Sequence, residues 1–291
     1  MLTLTDNALR VMQLTDLHLG QTPFEASDLR TLANMRAAIA AETPDLIVLS
    51  GDLIWSDGVV NPAAGLRALV AALNEFDIPV ATTYGNHDSE ETLDRADLRE
   101  LTAGLTHHVA KAHAFVSPRG KESYAIEIGE SGRVSRVAYV FDTGNVAPAP
   151  QSGYDWVEPE TIDWYVRTQA AYQAAGATQD VAFMHIPVPE YAQAAEHIVA
   201  GKWWEMHPRI AAPELNTGLF TRFLTLGNLS HVFCGHDHDN NFDGVYLGVH
   251  LVYGNVSGYN CYGVLPRGYR MITLAATGVT TEAVLYPEPN A

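Results

Sequence analysis

Short apolar runs alternate with amphipathic stretches through the first part of the chain. Arg10–Leu14 is an apolar strand candidate that stops at Thr15-Asp16. Ser27 can cap a helix running to about Glu42. Leu29, Leu32, Arg36 and Ile39 are spaced for one face of it, and Pro44 ends it. Asp45–Ser50 is a nearly unbroken apolar run, the pattern of a parallel strand buried on both faces. Asn61 can cap and Pro62 can open a second helix, whose Leu66, Leu69, Val70, Leu73 and Phe76 keep the helical period. Ile78–Thr83 is the next strand. This stretch therefore predicts β-α-β-α-β, with a polar cluster after each strand.

Further along, Tyr124–Ile128 and Val134–Phe141 alternate as a hairpin would. Pro159 opens a third helix carrying Ile162, Val166, Gln169 and Tyr172. Asp180–His185 reads as a strand ending on a histidine, and Leu229–Cys234 as a strand running into Gly235-His236-Asp237-His238. Residues 186–228 are mixed and hold Trp203, Trp204 and His207, so this segment is a candidate cap over a site. The stretches 246–253, 270–274 and 280–286 are strand-like. No Pro/Gly/Ser-rich linker, repeat or low-complexity tract breaks the chain, so residues 1–291 are expected to form one domain.

The 291 residues, 47% of them hydrophobic, can bury a substantial core. The formal net charge of −17 repels nucleic-acid backbones and argues against a DNA or RNA partner. It does not argue against small phosphate esters, because bound cations can reverse the local sign. Cys234 and Cys261 form no metal or redox motif and are expected to be free thiols, with no thiolate among the metal ligands. The N-terminus lacks a basic region followed by a long apolar stretch, and no run approaches a membrane span. A cytoplasmic location with no membrane partner is the expectation; the sequence leaves the oligomeric state open.

The polar clusters carry the chemistry. Asp16-Leu17-His18, Gly51-Asp52, Gly85-Asn86-His87-Asp88, His185 and Gly235-His236-Asp237-His238 nearly all follow apolar runs. Each alone has an ordinary explanation, such as a turn, a helix cap or a core histidine. His236 and His238 are two apart on an extended segment, so both rings can reach one metal cluster. Taken together, Asp16, His18, Asp52 and His238 can form one cation site, and Asp52, Asn86, His185 and His236 a second, with Asp52 bridging. Imidazole and carboxylate ligands suit manganese, iron, cobalt or zinc. A shared carboxylate holds two cations about 3.5–4 Å apart, the spacing of a two-metal hydrolytic site. Two divalent cations outweigh Asp16, Asp52 and a hydroxide, so the site stays net positive and attracts a phosphate ester.

This order of motifs resembles the calcineurin-like metallophosphoesterase superfamily from Asp16 to the glycine-rich tail. The resemblance implies a four-layer αββα sandwich of two mixed β-sheets flanked by helices, and metal-assisted hydrolysis of a phosphoester. His185-Ile-Pro-Val-Pro-Glu190, Gly235-His-Asp-His238 and Tyr253-Gly254…Gly258-Tyr259…Tyr262-Gly263 look like the branch near the purple acid phosphatases. That branch carries a tyrosine ligand three residues after the bridging aspartate. Trp55 stands there in this chain and cannot ligate, so no obligatory ferric ion is expected. By resemblance, His87 contacts the phosphoryl oxygens and protonates the leaving group, with Asp88 orienting its ring. Asn86, His207, Asn216 and Asn255 are candidate substrate contacts, and Gly218 matches the branch pattern. His107, His108, His113, His197, His231 and His250 have no motif support and read as solvated or core residues. The expected activity is dinuclear metal-dependent hydrolysis of phosphomonoesters or phosphodiesters, with a small phosphorylated substrate. The alternatives are a cyclic-nucleotide phosphodiesterase and a non-catalytic scaffold of the same fold.

Overall fold

The computed structural model of the chain describes residues 1–5, 7–130, 132–203 and 210–287. In chain order the strands are β1 (Leu2–Thr3), β2 (Ala8–Leu14), β3 (Leu46–Ser50), β4 (Val80–Thr83), β5 (Ala112–Val116), β6 (Glu122–Glu130) and β7 (Arg133–Val140). They continue as β8 (Gln179–Phe183), β9 (Ile198–Ala200), β10 (Leu229–Cys234), β11 (Asp243–Tyr246), β12 (Val249–Tyr253), β13 (Gly268–Ala275) and β14 (Gly278–Leu285). The helices are α1 (Ala26–Glu42), α2 (Pro62–Leu73), α3 (Arg95–Thr102), α4 (Pro159–Ala174), α5 (Tyr191–Ala194) and α6 (Leu219–Leu226).

Two mixed sheets result. The smaller runs β14-β13-β2-β3-β4, with β2, β3 and β4 parallel and β13 antiparallel to both its neighbours. The larger runs β1-β6-β7-β8-β10-β12-β11-β9, with β5 also on β6, and β7, β8, β10 and β12 are parallel. The period of two along each strand builds the layers. Leu9 and Val11 of β2 and Leu46 and Val48 of β3 meet Ile126, Val140, Phe183 and Phe233 of the larger sheet between the sheets. The alternate residues Met12, Leu14, Ile47 and Leu49 face outward under α1 and α2. Tyr139, Val232 and Leu251 face the other way, under α4 and α6. This is the four-layer αββα sandwich the motifs imply.

Several local expectations change. Helix α1 starts at Ala26, capped by Glu25 and Asp28, so Ser27 lies inside the first turn. Leu29 is exposed, and Leu32, Met35 and Ile39 carry the buried face. The stretch 246–253 contains a tight turn at Leu247-Gly248, both at positive φ, between β11 and β12. Helix α3 is an added element whose cap, Asp94 with Asp97, is visible in the sequence. The segment 186–228 supplies α5, β9 and α6 to the larger sheet's edge and outer face. Trp203 bridges to Asn240, while Trp204 and His207 lie outside the described residues. Among the described residues, no helix is long and apolar enough to cross a membrane.

Candidate metal centre

The carboxyl ends of the parallel strands from both sheets point to one edge of the sandwich, where an open α/β sheet gathers its ligands. β2 ends at Asp16, β3 at Gly51-Asp52, β4 at Gly85-Asn86, β8 at His185 and β10 at His236. Backbone bonds stitch these ends together. Asp16 N donates to Gly51 O at 3.0 Å, His18 N to Asp52 O at 3.0 Å and Gly258 N to Asp16 O at 3.0 Å.

The approach is close enough to need glycine. A Cβ on Gly85 would sit 2.1 Å from Asp52 Oδ1, and one on Gly51, at φ +96°, would sit 2.6 Å from the His185 ring. Four expected ligands themselves hold left-handed backbone: Asp16 (φ 56°), His18 (48°), Asp52 (51°) and His236 (83°). Such conformations cost of order 1–3 kcal/mol each and persist where surrounding packing enforces them, typically at functional sites.

All the expected ligands are buried. Potential ligand atoms of Asp16, His18, Asp52 and His238 lie within 4.8 Å of one another, as do those of Asp52, His185 and His236. His18 Nε2 is 3.1 Å from His238 Nε2 and 3.6 Å from Asp52 Oδ2. His238 Nε2 is 3.5 Å from Asp16 Oδ1. Two ligands on one cation, each about 2.0–2.1 Å from it, stand about 3.0–3.4 Å apart, so these spacings are close to those of a coordination shell. Asp52 belongs to both groups.

The decisive feature is a set of buried atoms without hydrogen bonds: Asp52 Oδ2, Asn86 Oδ1, His185 Nε2 and His236 Nε2. His185 Nε2 does lie 3.1 Å from Asp52 Oδ2, in contact but poorly aligned for a hydrogen bond. Asn86 Oδ1 and His236 Nε2 have no partner, which costs roughly 1–3 kcal/mol each, and Asp52 Oδ2 and His185 Nε2 have ion-pair contacts only, so the convergence of the four fits a cation. The outer nitrogens are anchored. His185 Nδ1 is 2.9 Å from Ser50 O, and His238 Nδ1 is 3.3 Å from Tyr262 O, which leaves each Nε2 facing inward. The donor set therefore fits two divalent cations.

The protonation balance agrees. Burial pushes His18 and His236 down to about 3, so both rings are neutral at pH 7 and offer lone pairs. Burial also opposes the charged forms of His185 and His238, but Asp52 and Asp16 outweigh it, raising His185 to about 9 and His238 well above its usual value. Those are the protons a cation would displace.

Two expected roles shift. Asp88 does not orient His87: its Oδ1 accepts from Leu53 N and Ile54 N at 2.7 and 3.0 Å, and its Oδ2 from Gly85 N at 2.7 Å. It is a buried staple joining the loops after β3 and β4, pushed up to about 6 by burial and by the charge of Asp52. Glu90 takes the orienting place, with Oε1 2.6 Å from His87 Nδ1 and Oε2 accepting from Asp57 N at 3.0 Å. The His87 ring packs on Trp55, centroids 4.3 Å apart, and Trp55 packs equally close on His18. The position lacking a tyrosine ligand is thus an aromatic wall.

The candidate substrate contacts separate. Asn86 is at the centre. Asn255 is fully buried, its Oδ1 accepting from Asn241 and its Nδ2 donating to Val256 O and Pro266 O, so it braces a loop and does not face the cleft. Asn216 donates to Glu190 Oε1 at 2.8 Å and accepts from Gly218 N, lining a small cleft with Trp156, Pro187 and Leu215. His107 pairs with Asp77 at the surface, whereas His231 and His250 stack on each other. One ligand-type side chain was not foreseen. Cys261 Sγ lies within 4.8 Å of ring nitrogens of both His18 and His238, in a group separate from that of Asp16 and Asp52.

The sequence profile of the calcineurin-like phosphoesterases matches residues 9–240. A protein of Arabidopsis thaliana named probable inactive purple acid phosphatase 29 is 28% identical over 286 residues, covering 87% of this chain and 73% of its own. Phosphatase DCR2 of Saccharomyces cerevisiae is 28% identical over 273 residues, covering 81% of this chain and 45% of its own. A dimetal phosphatase from Danio rerio superposes with a TM-score of 0.65 over 96% of this chain and 99% of that one, at 11% identity, a likeness of fold.

Proposed function

The chain belongs to the calcineurin-like phosphoesterase family, and from that premise we propose that it is an active dinuclear metal-dependent phosphohydrolase of phosphomonoesters or phosphodiesters. The observation that carries this reading is the convergence of Asp52 Oδ2, Asn86 Oδ1, His185 Nε2 and His236 Nε2, buried and without hydrogen bonds. A scaffold that had lost its cations would gain nothing from keeping these polar atoms buried at one point.

When bound, two divalent cations supply a hydroxide nucleophile near neutral pH and positive charge for the phosphoryl oxygens. Asp16, His18, Asp52 and His238 would hold one, and Asp52, Asn86, His185 and His236 the other. The remaining work falls to His87. Its backbone N–H donates to Asp52 Oδ1 at 2.9 Å, fixing the ring's base beside the bridge. Glu90 engages Nδ1, so Nε2 is the nitrogen offered to substrate. From there the ring can hydrogen-bond a phosphoryl oxygen and donate a proton to the departing alkoxide. Trp55 packs against the ring at a steep angle and limits its rotation.

The label inactive on an Arabidopsis relative makes the scaffold reading a live alternative. Manganese reconstitution followed by metal analysis separates the two. Near two metals per chain, with turnover of para-nitrophenyl phosphate or its bis-ester, supports the hydrolase. Well below one metal per chain supports the scaffold. Including cyclic AMP in the same assay decides whether a cyclic diester is the preferred substrate.

A further inference from the structure

The two sheets protect their edges unevenly. In the smaller sheet β4 is short, and the loop after α3 covers it: Val80 N donates to His107 O at 2.8 Å and Val109 N to Val80 O at 3.0 Å. In the larger sheet one edge is divided between the two-residue β1 and β5, whose register on β6 breaks, and the other is the three-residue β9. The remaining edge, β14, is long and bare. Its eight residues pair with β13 in continuous register from Gly278↔Ala275 to Leu285↔Gly268, with no bulge. Among the described residues, no strand or loop pairs with its outer side. Residues 278–285 hold no proline and one charged side chain, Glu282, so the usual devices that blunt an edge are missing. The strand is also held in place. Arg270 donates to Thr281 Oγ1 at 3.1 Å while donating to Tyr253 O and Asn241 O at 2.7 and 2.6 Å. Beside it, Ile198 and Val199 of β9 are exposed, and a groove between the two strands is lined by Ala200, Lys202, Thr281 and Leu285.

We propose that β14 pairs antiparallel with β14 of a second copy of this chain, joining the two smaller sheets edge to edge. The proposal is independent of the metal centre. Two identical edges pair antiparallel about a two-fold axis normal to the sheet, which keeps like faces together. Opposed residues then share a face, and the period of two requires their numbers to sum to an even value. The two longest registers place Thr281 or Glu282 on the axis, pairing residues 278–284 or 279–285. The second sets Glu282 directly against its own copy, which like charge penalises. The first sets Glu282 against Thr280, a carboxylate facing a hydroxyl, and Val279 against Ala283. Charge therefore selects the register centred on Thr281. About that residue the strand reads alike in both directions: polar Thr280 and Glu282 on the exposed face, then apolar Val279 and Ala283, both partly buried. This self-complementarity is what a two-fold contact requires, and it makes a second copy the partner that fits. The outward backbone groups of both strands gain partners in the same step.

Sedimentation of the full chain over a concentration series tests this without using activity. The expected wild type is a monomer–dimer equilibrium at micromolar concentration. Thr280 is exposed and meets Glu282 of the other copy twice in each dimer, so its charge should set the strength of the contact. Thr280→Glu should weaken the dimer about tenfold and Thr280→Lys should tighten it about tenfold. Combining Thr280→Glu with Glu282→Lys restores opposite charges and should recover at least the wild-type strength. Amide exchange across residues 278–284 should slow as the wild type is concentrated. A wild type that stays monomeric at the highest concentration reached would overturn the proposal, whatever the variants do. A dimer held equally well by Thr280→Glu and Thr280→Lys, or one whose β14 amides exchange at a rate independent of concentration, would put the contact elsewhere and overturn it too.

Discussion

Strands β10 and β12 carry two histidine clusters, one at each end. Past the carboxyl end of β10, His236 joins His185 and Asp52. Near the amino ends, His231 and His250 sit side by side in register with Asp243 close by. By composition and proximity both could hold a cation; their physical states differ. In the first cluster the His185 and His236 rings are inclined at 74°, their inner nitrogens have no hydrogen bonds, and the backbone of His236 and Asp52 is left-handed. In the second the rings lie nearly parallel, 11° apart with centroids at 4.3 Å, so their in-plane lone pairs do not converge. Their Nδ1 atoms are also occupied: His231 Nδ1 is 3.0 Å from Ser230 Oγ, and His250 Nδ1 is 2.8 Å from Asp243 Oδ1. Arg270 lies in the field of Asp243 and Arg136 in that of His231. The second cluster leaves no buried nitrogen orphaned among the described residues, whereas the first leaves His236 Nε2 and Asn86 Oδ1 without a partner. Unmet valence and enforced strain mark the site, not residue type.

Asp52→Asn should break the comparison most severely. It weakens the shared ligand, and turnover should fall by about 10³-fold or more, the several kcal/mol that metal-assisted charge stabilisation supplies. Metal analysis should show fewer than two cations per chain. Asp243→Asn, its counterpart at the other end, should leave both numbers unchanged; a drop in metal content there would make the second cluster a site. Next, His87→Asn should keep the metals and lose about 10²-fold in kcat on an ester with a poor leaving group, with much less loss on a nitrophenyl ester. Equal loss on both would remove the acid role.

The second cluster should reveal itself in stability. Burial, and then the charge of His250, lower His231 to about 4 from its usual 6.5. The unfolded chain therefore binds more protons than the folded one between these values. Stability is fully present above about 6.5 and is lost as pH falls toward 4, by up to about 3 kcal/mol. His231→Gln should flatten that part of the stability profile measured by denaturant titration. Smallest among these, Glu90→Gln should lower kcat by about tenfold, as outer-shell carboxylates on histidines commonly do, with metal content unchanged.

Much of the centre could be read from the chain because a parallel strand delivers its next residue to a fixed edge. Asp16, Asp52, Asn86, His185 and His236 all follow apolar runs, and the fold brings their loops together. The strain at Asp16, His18, Asp52 and His236 could not be read, since left-handed backbone is signalled by glycine and none of these is glycine. The exchange of roles between Asp88 and Glu90 was hidden for a similar reason. Adjacent residues in a tight turn point in different directions, and three backbone N–H groups claim Asp88. Cys261 lies more than twenty residues from His238 and far from His18 in sequence, so its approach to their rings shows only in the folded loop after β12. Elements α5, β9 and α6 are too short to show a period, which left 186–228 a mixed stretch.

The most direct test of the central claim is a crystal grown with manganese and measured at the manganese absorption edge. Two anomalous peaks about 3.5–4 Å apart, bridged by Asp52 and flanked by His185 and His236 on one side and His18 and His238 on the other, are the predicted result. A single peak, or two peaks with His185 and His236 turned away from Asp52, would contradict it.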